Sequence, residues 1–444
     1  MRRDGRPRHG LGARDILPSW ITRAGLRFLL VTDVMLVGIF AHGFLAAIGI
    51  AYSLGGVLYA VGQGLFIGCL TLTAAEPNAK PVRNATILRD GLLITLVCGV
   101  ALALLCQGGT GFLRLVGQEP EIAATAGPFL MLLGLGLPVH YAFLTLGYML
   151  EAKGHRARVA LWVGAAFLVN LGLGFALALI LDTSAGAVAW GIAISTIVVR
   201  SLALLGLAAS FRACVALAPL RALPRWSLSS GRDMRRIGLA AGAGLAIESA
   251  AFAMLSVFAG WLGAEALAAY TMLVSLVTVM FSLALAIAVL TATRIAADRA
   301  AARKLFLEGM GMALGLMALL GLAAYLLRSP LVAQTLAAPT AAASSLPLVG
   351  LVGFLMLGDG GQTIASNALR AVGDAWPATL IHLSGYLFLM VGGGWLLAIP
   401  LDRSVRGLIE ATALASFTVL FLLCWRFWWL TRPSGNVSNR EMTT

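Results

Sequence analysis

Apolar runs long enough to cross a bilayer recur along the chain, each closed by a short polar stretch. The pattern predicts twelve spanning helices, at 18–40, 45–75, 90–108, 123–148, 159–181, 185–210, 237–262, 266–293, 305–328, 346–369, 377–400 and 404–429. Arg23 and Arg27 leave the first half of the first run polar. Similar segments return at a fixed distance. "LAAIGIAYSL" (45–54) aligns with "LAAYTMLVSL" (267–276), and "YMLEAKGHRAR" (148–158) with "NALRAVGDAWP" (367–377), at offsets of 222 and 219. The repeating unit is therefore six helices. An even number of spans makes the two units parallel, related by an axis along the membrane normal, with a cleft between them. The expected fold is an all-α polytopic membrane protein: twelve transmembrane helices in two parallel six-helix bundles.

Composition agrees. The chain is 60% hydrophobic and 11% charged, with mean hydropathy +0.92, which no soluble domain could bury. A net charge of +13 could suggest nucleic acid. However, the charges form short clusters between apolar runs, so no nucleic-acid partner is expected. Lys and Arg cluster at 2–14, 80–89, 153–158, 212–236, 294–304, at Arg370 and at 426–440, while the other side holds only Arg114, Arg328, Arg403 and Arg406. The positive-inside rule then places both termini in the cytoplasm, in a multi-pass protein of the cell (inner) membrane. The organisation read from this is a basic N-terminus (1–17), a first bundle (18–210), a basic linker (211–236), a second bundle (237–430) and a tail (431–444). The basic start has no small-residue cleavage site behind a short apolar core, so a cleaved signal peptide is not expected.

Three carboxylates interrupt the apolar runs well inside their spans: Asp33, Glu248 and Asp359. An ionised carboxylate in hydrocarbon costs at least a few kcal/mol, so such acids either pair to lock helices together or face a cavity where they work. His140 lies 219 residues before Asp359 and so occupies the equivalent place in the first half, just after Pro138. It is either a packing residue or a second polar group facing the cleft. Arg23, Arg27 and Arg200 all fall in the cytoplasmic half of the first bundle, where they either snorkel to the interface or line the cleft. Glu410 is expected to snorkel or to pair with Arg403 or Arg406.

The five cysteines lack metal or disulfide spacing, "VGGGW" is not followed by a phosphate-loop Lys-Ser/Thr, and no nucleophile–base cluster converges. Neither an enzyme, a resident metal nor a bound cofactor is expected, and the energy source is read as an ion gradient.

Four stretches, in order and at repeat-consistent positions, resemble the multidrug and toxic compound extrusion (MATE) family, closest to its NorM-like branch. They are "VTDVMLVGIFAHGFLAAIGIAYSL", "GLPVHYAFLTLGYMLEAKGH", "IESAAFAMLSVFAGWLGAEALAAYTM" and "GDGGQTIASNALRAVGD". The chain departs from the family upstream of Pro18, where "RRDGRPRHGLGARDI" replaces apolar helix. The resemblance implies coupling of H+ or Na+ at Glu248 and Asp359, with a further role for Asp33. It gives Asn170 as the partner of Asp33. The DinF-like branch has an aspartate one turn after that asparagine, and here the position is Gly174. The resemblance further implies efflux of small organic compounds by alternating access in a monomer embedded in the lipid bilayer. Two other readings stay open: export of an anionic metabolite, such as a carboxylate siderophore or organic acid, and flipping of a lipid-linked precursor.

Overall fold

The computed structural model describes residues 13–76, 78–181, 184–225, 231–335 and 339–432. Each predicted span is a helix. The first half comprises α1 (Ala13–Phe40), α2 (Leu45–Leu65, continued by Ile67–Ala75), α3 (Pro81–Cys106), α4 (Pro120–Ala152), α5 (Arg156–Ile180) and α6 (Ala185–Cys214). The second comprises α7 (Arg232–Trp261), α8 (Ala264–Ala297), α9 (Ala302–Leu326), α10 (Leu348–Ala371), α11 and α12 (Ser404–Leu430). Helix α11 runs through Ala375–Ser384, a π-wound stretch Gly385–Gly392 and Gly393–Ala398. Among the described residues, ten helices are long and apolar enough to cross a membrane unaided. The apolar parts of α1 and α7 are shorter, Phe28–Phe40 and Leu245–Trp261. Both begin in charge-rich sequence, so their first turns lie at the membrane surface rather than within it. Helix α1 starts at Ala13, earlier than the predicted 18.

Local sequence explains the ends. Pro81 and Pro120 open α3 and α4, where a missing backbone N–H costs nothing. Ser184 caps α6 by accepting from the Ala187 N–H at 3.1 Å. The repeat is visible in two closing turns. After α4, Gly154 has φ +86, the Gly154 N–H donates to Glu151 O and the His155 N–H to Leu150 O. After α10, Gly373 has φ +98, the Gly373 N–H donates to Arg370 O and the Asp374 N–H to Leu369 O. These are the same Schellman turn, offset by 219 residues, and the left-handed backbone explains a glycine at each. That shared stop fixes the register in which His140 and Asp359 correspond.

The halves meet along two seams, α2 against α7 and α1 against α8. Ser53 and Ser256 hydrogen-bond across the first at 2.7 Å. On the side away from the chain ends, Gln118 donates to Val257 O at 3.0 Å and Trp261 donates from Nε1 to Val116 O at 2.7 Å. Elsewhere large apolar side chains, including Leu105, Ile180 and Phe421, stand open on the outer surface, as lipid contact requires.

Candidate functional site

A cavity of about 240 Å³ lies between the halves. Its first-half wall comes from α1, α2, α4 and α6 and includes Tyr52, Tyr59, His140 and Arg200. Its second-half wall comes from α7, α8 and α10 and includes Glu248, Phe252, Phe281 and Asp359. Apolar residues such as Leu30, Val31 and Val34 fill in between. A mostly apolar concavity with a few convergent polar groups is the usual form of a small-molecule site.

Asp33 is fully buried on α1 beside this cavity. Asn170 of α5 donates to its Oδ1 at 2.9 Å, while Tyr52 of α2 and Thr196 of α6 donate to its Oδ2 at 2.8 and 2.5 Å. Asn170 Oδ1 in turn lies 3.0 Å from the Thr196 hydroxyl and 3.4 Å from that of Ser195. Both carboxylate oxygens are thus satisfied by neutral donors from three helices, which ties α1 to the rest of its bundle. Asn170 therefore stands where the resemblance put it. Tyr52, Ser195 and Thr196 were not singled out by sequence, because neutral polar residues are ordinary in membrane helices.

Asp359 occupies the middle of α10, itself held among α8, α9 and α12. The glycines around it have a packing reason: a Cβ at Gly358 or Gly360 would press on Phe417 or Met317, 3.1 and 2.8 Å away. Gln362, one turn on, donates from Nε2 to Asp359 Oδ1 at 2.6 Å and to the Tyr386 hydroxyl at 3.1 Å. Tyr386 belongs to the π-wound part of α11, a winding that is uncommon and recurs at functional sites. Of the two acids on this wall, Asp359 is 2% exposed and Glu248 half-buried, a difference set by rotation about each helix axis.

Of the two alternatives the sequence left for Arg200, the structure shows the second, lining the cleft. The residue is 5% exposed and sits with Cζ 4.6 Å from the centre of the Tyr59 ring. The reason is periodicity: Thr196 and Arg200 are one turn apart on α6, so the face that meets Asp33 also carries the guanidinium inward. His140 is likewise buried and borders the cavity, edge-on to Tyr59 with ring centres 4.6 Å apart. The side chains of Arg23 and Arg27 lie outside the described residues. Glu410 pairs with Arg403 at 2.9 Å and with Arg406 at 2.8 Å, far along the chain from this cavity.

The cysteines are free, and among the described residues no group of three or more His, Cys, Asp or Glu side chains could hold a metal. The MatE family model matches residues 18–176 and 240–396, one segment in each half. The chain is 29% identical to the probable multidrug resistance protein NorM of Caulobacter vibrioides, over 92% of this chain and 89% of that one. It is 27% identical to the protein of the same name from Bradyrhizobium diazoefficiens, over 94% and 92%. Among solved structures, it superposes on an inward-facing multidrug resistance MATE family transporter of the MOP superfamily with TM-score 0.82, at 17% identity and covering 92% of this chain and 96% of that one. The eukaryotic MATE transporter AtDTX14 gives TM-score 0.75 at 19% identity, covering 94% and 96%.

Proposed function

This chain belongs to the MatE family of multi-pass membrane transporters, and from that premise we propose that it exports small organic compounds by cation-coupled antiport. The observation that carries the reading is the interbundle cavity whose second-half wall holds both Glu248 and Asp359. Carboxylates beside a partly apolar chamber attract both a small cation and a bulky organic one, and competition between the two is what antiport needs. H+ or Na+ entering from outside would neutralise this wall and release the cargo. Cargo entering from inside would displace the ion. Asp33 and Asn170 form a second polar centre that holds α1 to α5 and α6 while the bundles move.

The bundles, 18–210 and 237–430, move as units about the seams, with 211–236 as a linker and the basic ends 1–17 and 431–444 cytoplasmic. On this reading the Gln118–Val257 and Trp261–Val116 bonds break when the cavity opens outward. Each bundle encloses its own half of the wall, so a monomer in the inner membrane suffices.

The test is transport by the purified protein in sealed vesicles under an imposed pH or Na+ gradient. Cargo movement should follow one gradient and vanish when it is collapsed by an ionophore. Movement supported by ATP with no ion gradient would overturn the proposal.

A further inference from the structure

Arg200 is a buried cation that leaves part of its hydrogen-bonding capacity unused by the protein. Its Nε and Nη1 are buried and have no hydrogen-bond partner, and it forms no ion pair among the described residues. The acid nearest along its helix face, Asp33, acts on it through space but makes no ion-pair contact with it. Asp33 is bonded by Thr196, one turn from Arg200, but its two oxygens already accept from Asn170, Tyr52 and Thr196. A buried guanidinium without a carboxylate is expensive to keep, unless something from outside supplies the partner.

The geometry suits such a partner. The guanidinium lies over the Tyr59 ring, 4.6 Å from its centre. That contact steadies the cation against the ring, and the unpartnered Nε and Nη1 remain to donate to a carboxylate. His140 stands edge-on to the same ring, and its Nε2 is also buried without a partner. All three residues line the cavity whose other wall carries Glu248 and Asp359.

Resting on the reading of this cavity as the cargo site, we propose that Arg200, stacked on Tyr59 beside His140, is a carboxylate-binding subsite. The cavity is then bipolar, and the cargo it fits is amphoteric: an anionic carboxylate against the first-half wall and a cationic or basic centre against the second, joined by an apolar body. A purely cationic compound uses only half of the polar groups.

A matched pair of dyes tests this: a rhodamine-type cation bearing a free carboxylate, and the same dye as its ethyl ester. Binding to the purified full-length protein is read by fluorescence anisotropy, and gradient-driven uptake in vesicles. Arg200→Gln should weaken the carboxylate dye about tenfold or more and the ester about twofold at most, the loss expected for a bond to a charged group. Arg200→Lys keeps the charge but not the two-pronged edge, so it should lose several-fold on the carboxylate dye alone. It also keeps the test open if the glutamine variant does not fold. Equal changes on both dyes, including none, would overturn the subsite. They would make Arg200 a partner of the protein's own acids or a packing residue. A wild-type protein that transports neither dye under any gradient would instead remove the export reading, and the anisotropy comparison would still decide the subsite.

Discussion

His140 and Asp359 hold the same place in the two halves, on α4 and α10, each the same distance before its closing glycine turn. Around His140 the cavity wall is cationic and aromatic, with Arg200 and Tyr59. Around Asp359 it is acidic, with Glu248 on the wall and the Gln362 amide bonded to Asp359 behind it. The buried acid of the first half, Asp33, shows the same divergence. At the offset of 222 its counterpart is Leu255, which is just as buried. Duplication thus supplied one backbone twice, and the chemistry at these two pairs of equivalent positions has separated, while Ser53 and Ser275 stay alike on the cavity wall. On the proposed mechanism, a pseudo-symmetric shell with an asymmetric lining would let the two bundles rock as equals while only one of them senses a cation.

The strongest way to break this comparison is at Asp359. Asp359→Asn keeps the volume and the Gln362 contact but removes the charge that a cation can neutralise. Gradient-driven export of either dye should fall by at least about a hundredfold, the scale of losing a group on which the coupled step depends. Glu248→Gln should act in the same direction, and the double variant should be little worse than either single one, because both would serve one exchange. Additive losses would mean two independent sites. Wild-type export by Asp359→Asn, measured in the same vesicles, would reduce the acid to packing.

The second test imports the second half's residue into the first. Asp33→Leu copies Leu255 but leaves the side-chain donors of Tyr52, Asn170 and Thr196 facing an apolar group. Buried donors without partners cost free energy, so the variant should lose about 2–4 kcal/mol of stability. The loss would be seen as a lower thermal unfolding midpoint of the purified protein in detergent. Asp33→Asn, which still offers an acceptor, should lose less. An unchanged midpoint for Asp33→Leu would show that the network does not hold α1 in place.

The fold was legible because lipid enforces it. Helices must be long, apolar and bounded by charge, and each span from 18 to 429 could be read from that demand. The acids Asp33, Glu248 and Asp359 stood out for the same reason, since a carboxylate in such a run must either pair or face a cavity. What surrounds them was not. Tyr52, Thr196, Gln362 and Tyr386 are neutral, and neutral polar side chains occur throughout membrane helices. Only rotation about each helix axis decides which of them meet an acid. Arg200 was left undecided between interface and cleft by the same omission, since counting residues from the membrane surface gives depth but no azimuth. The i, i+4 spacing of Thr196 and Arg200, read together with Asn170 as the partner of Asp33, is the signal that could have turned it inward. The π-wound stretch at Gly385–Gly392, which delivers Tyr386 to Gln362, left no recognisable mark in an apolar, glycine-rich run.

The smallest expected effect is the most telling about symmetry. His140→Asn changes the residue equivalent to Asp359 while keeping a polar group near Tyr59. If the two walls have divided their work, this substitution touches cargo recognition and leaves ion coupling alone. It exchanges the imidazole for a shorter amide and so displaces one hydrogen-bonding group, typically about 0.5–1.5 kcal/mol, so affinity for the carboxylate dye should drop about two- to tenfold. The ester should bind as before, and the dependence of its export on the ion gradient should be unaltered. Both can be measured on one preparation, by anisotropy in detergent and by uptake in vesicles. A collapse of gradient-driven export of the ester, like that expected for Asp359→Asn, would mean that position 140 also handles the coupling ion. The halves would then be symmetric in function as well as in backbone, and the division of labour between cationic and acidic walls would be wrong.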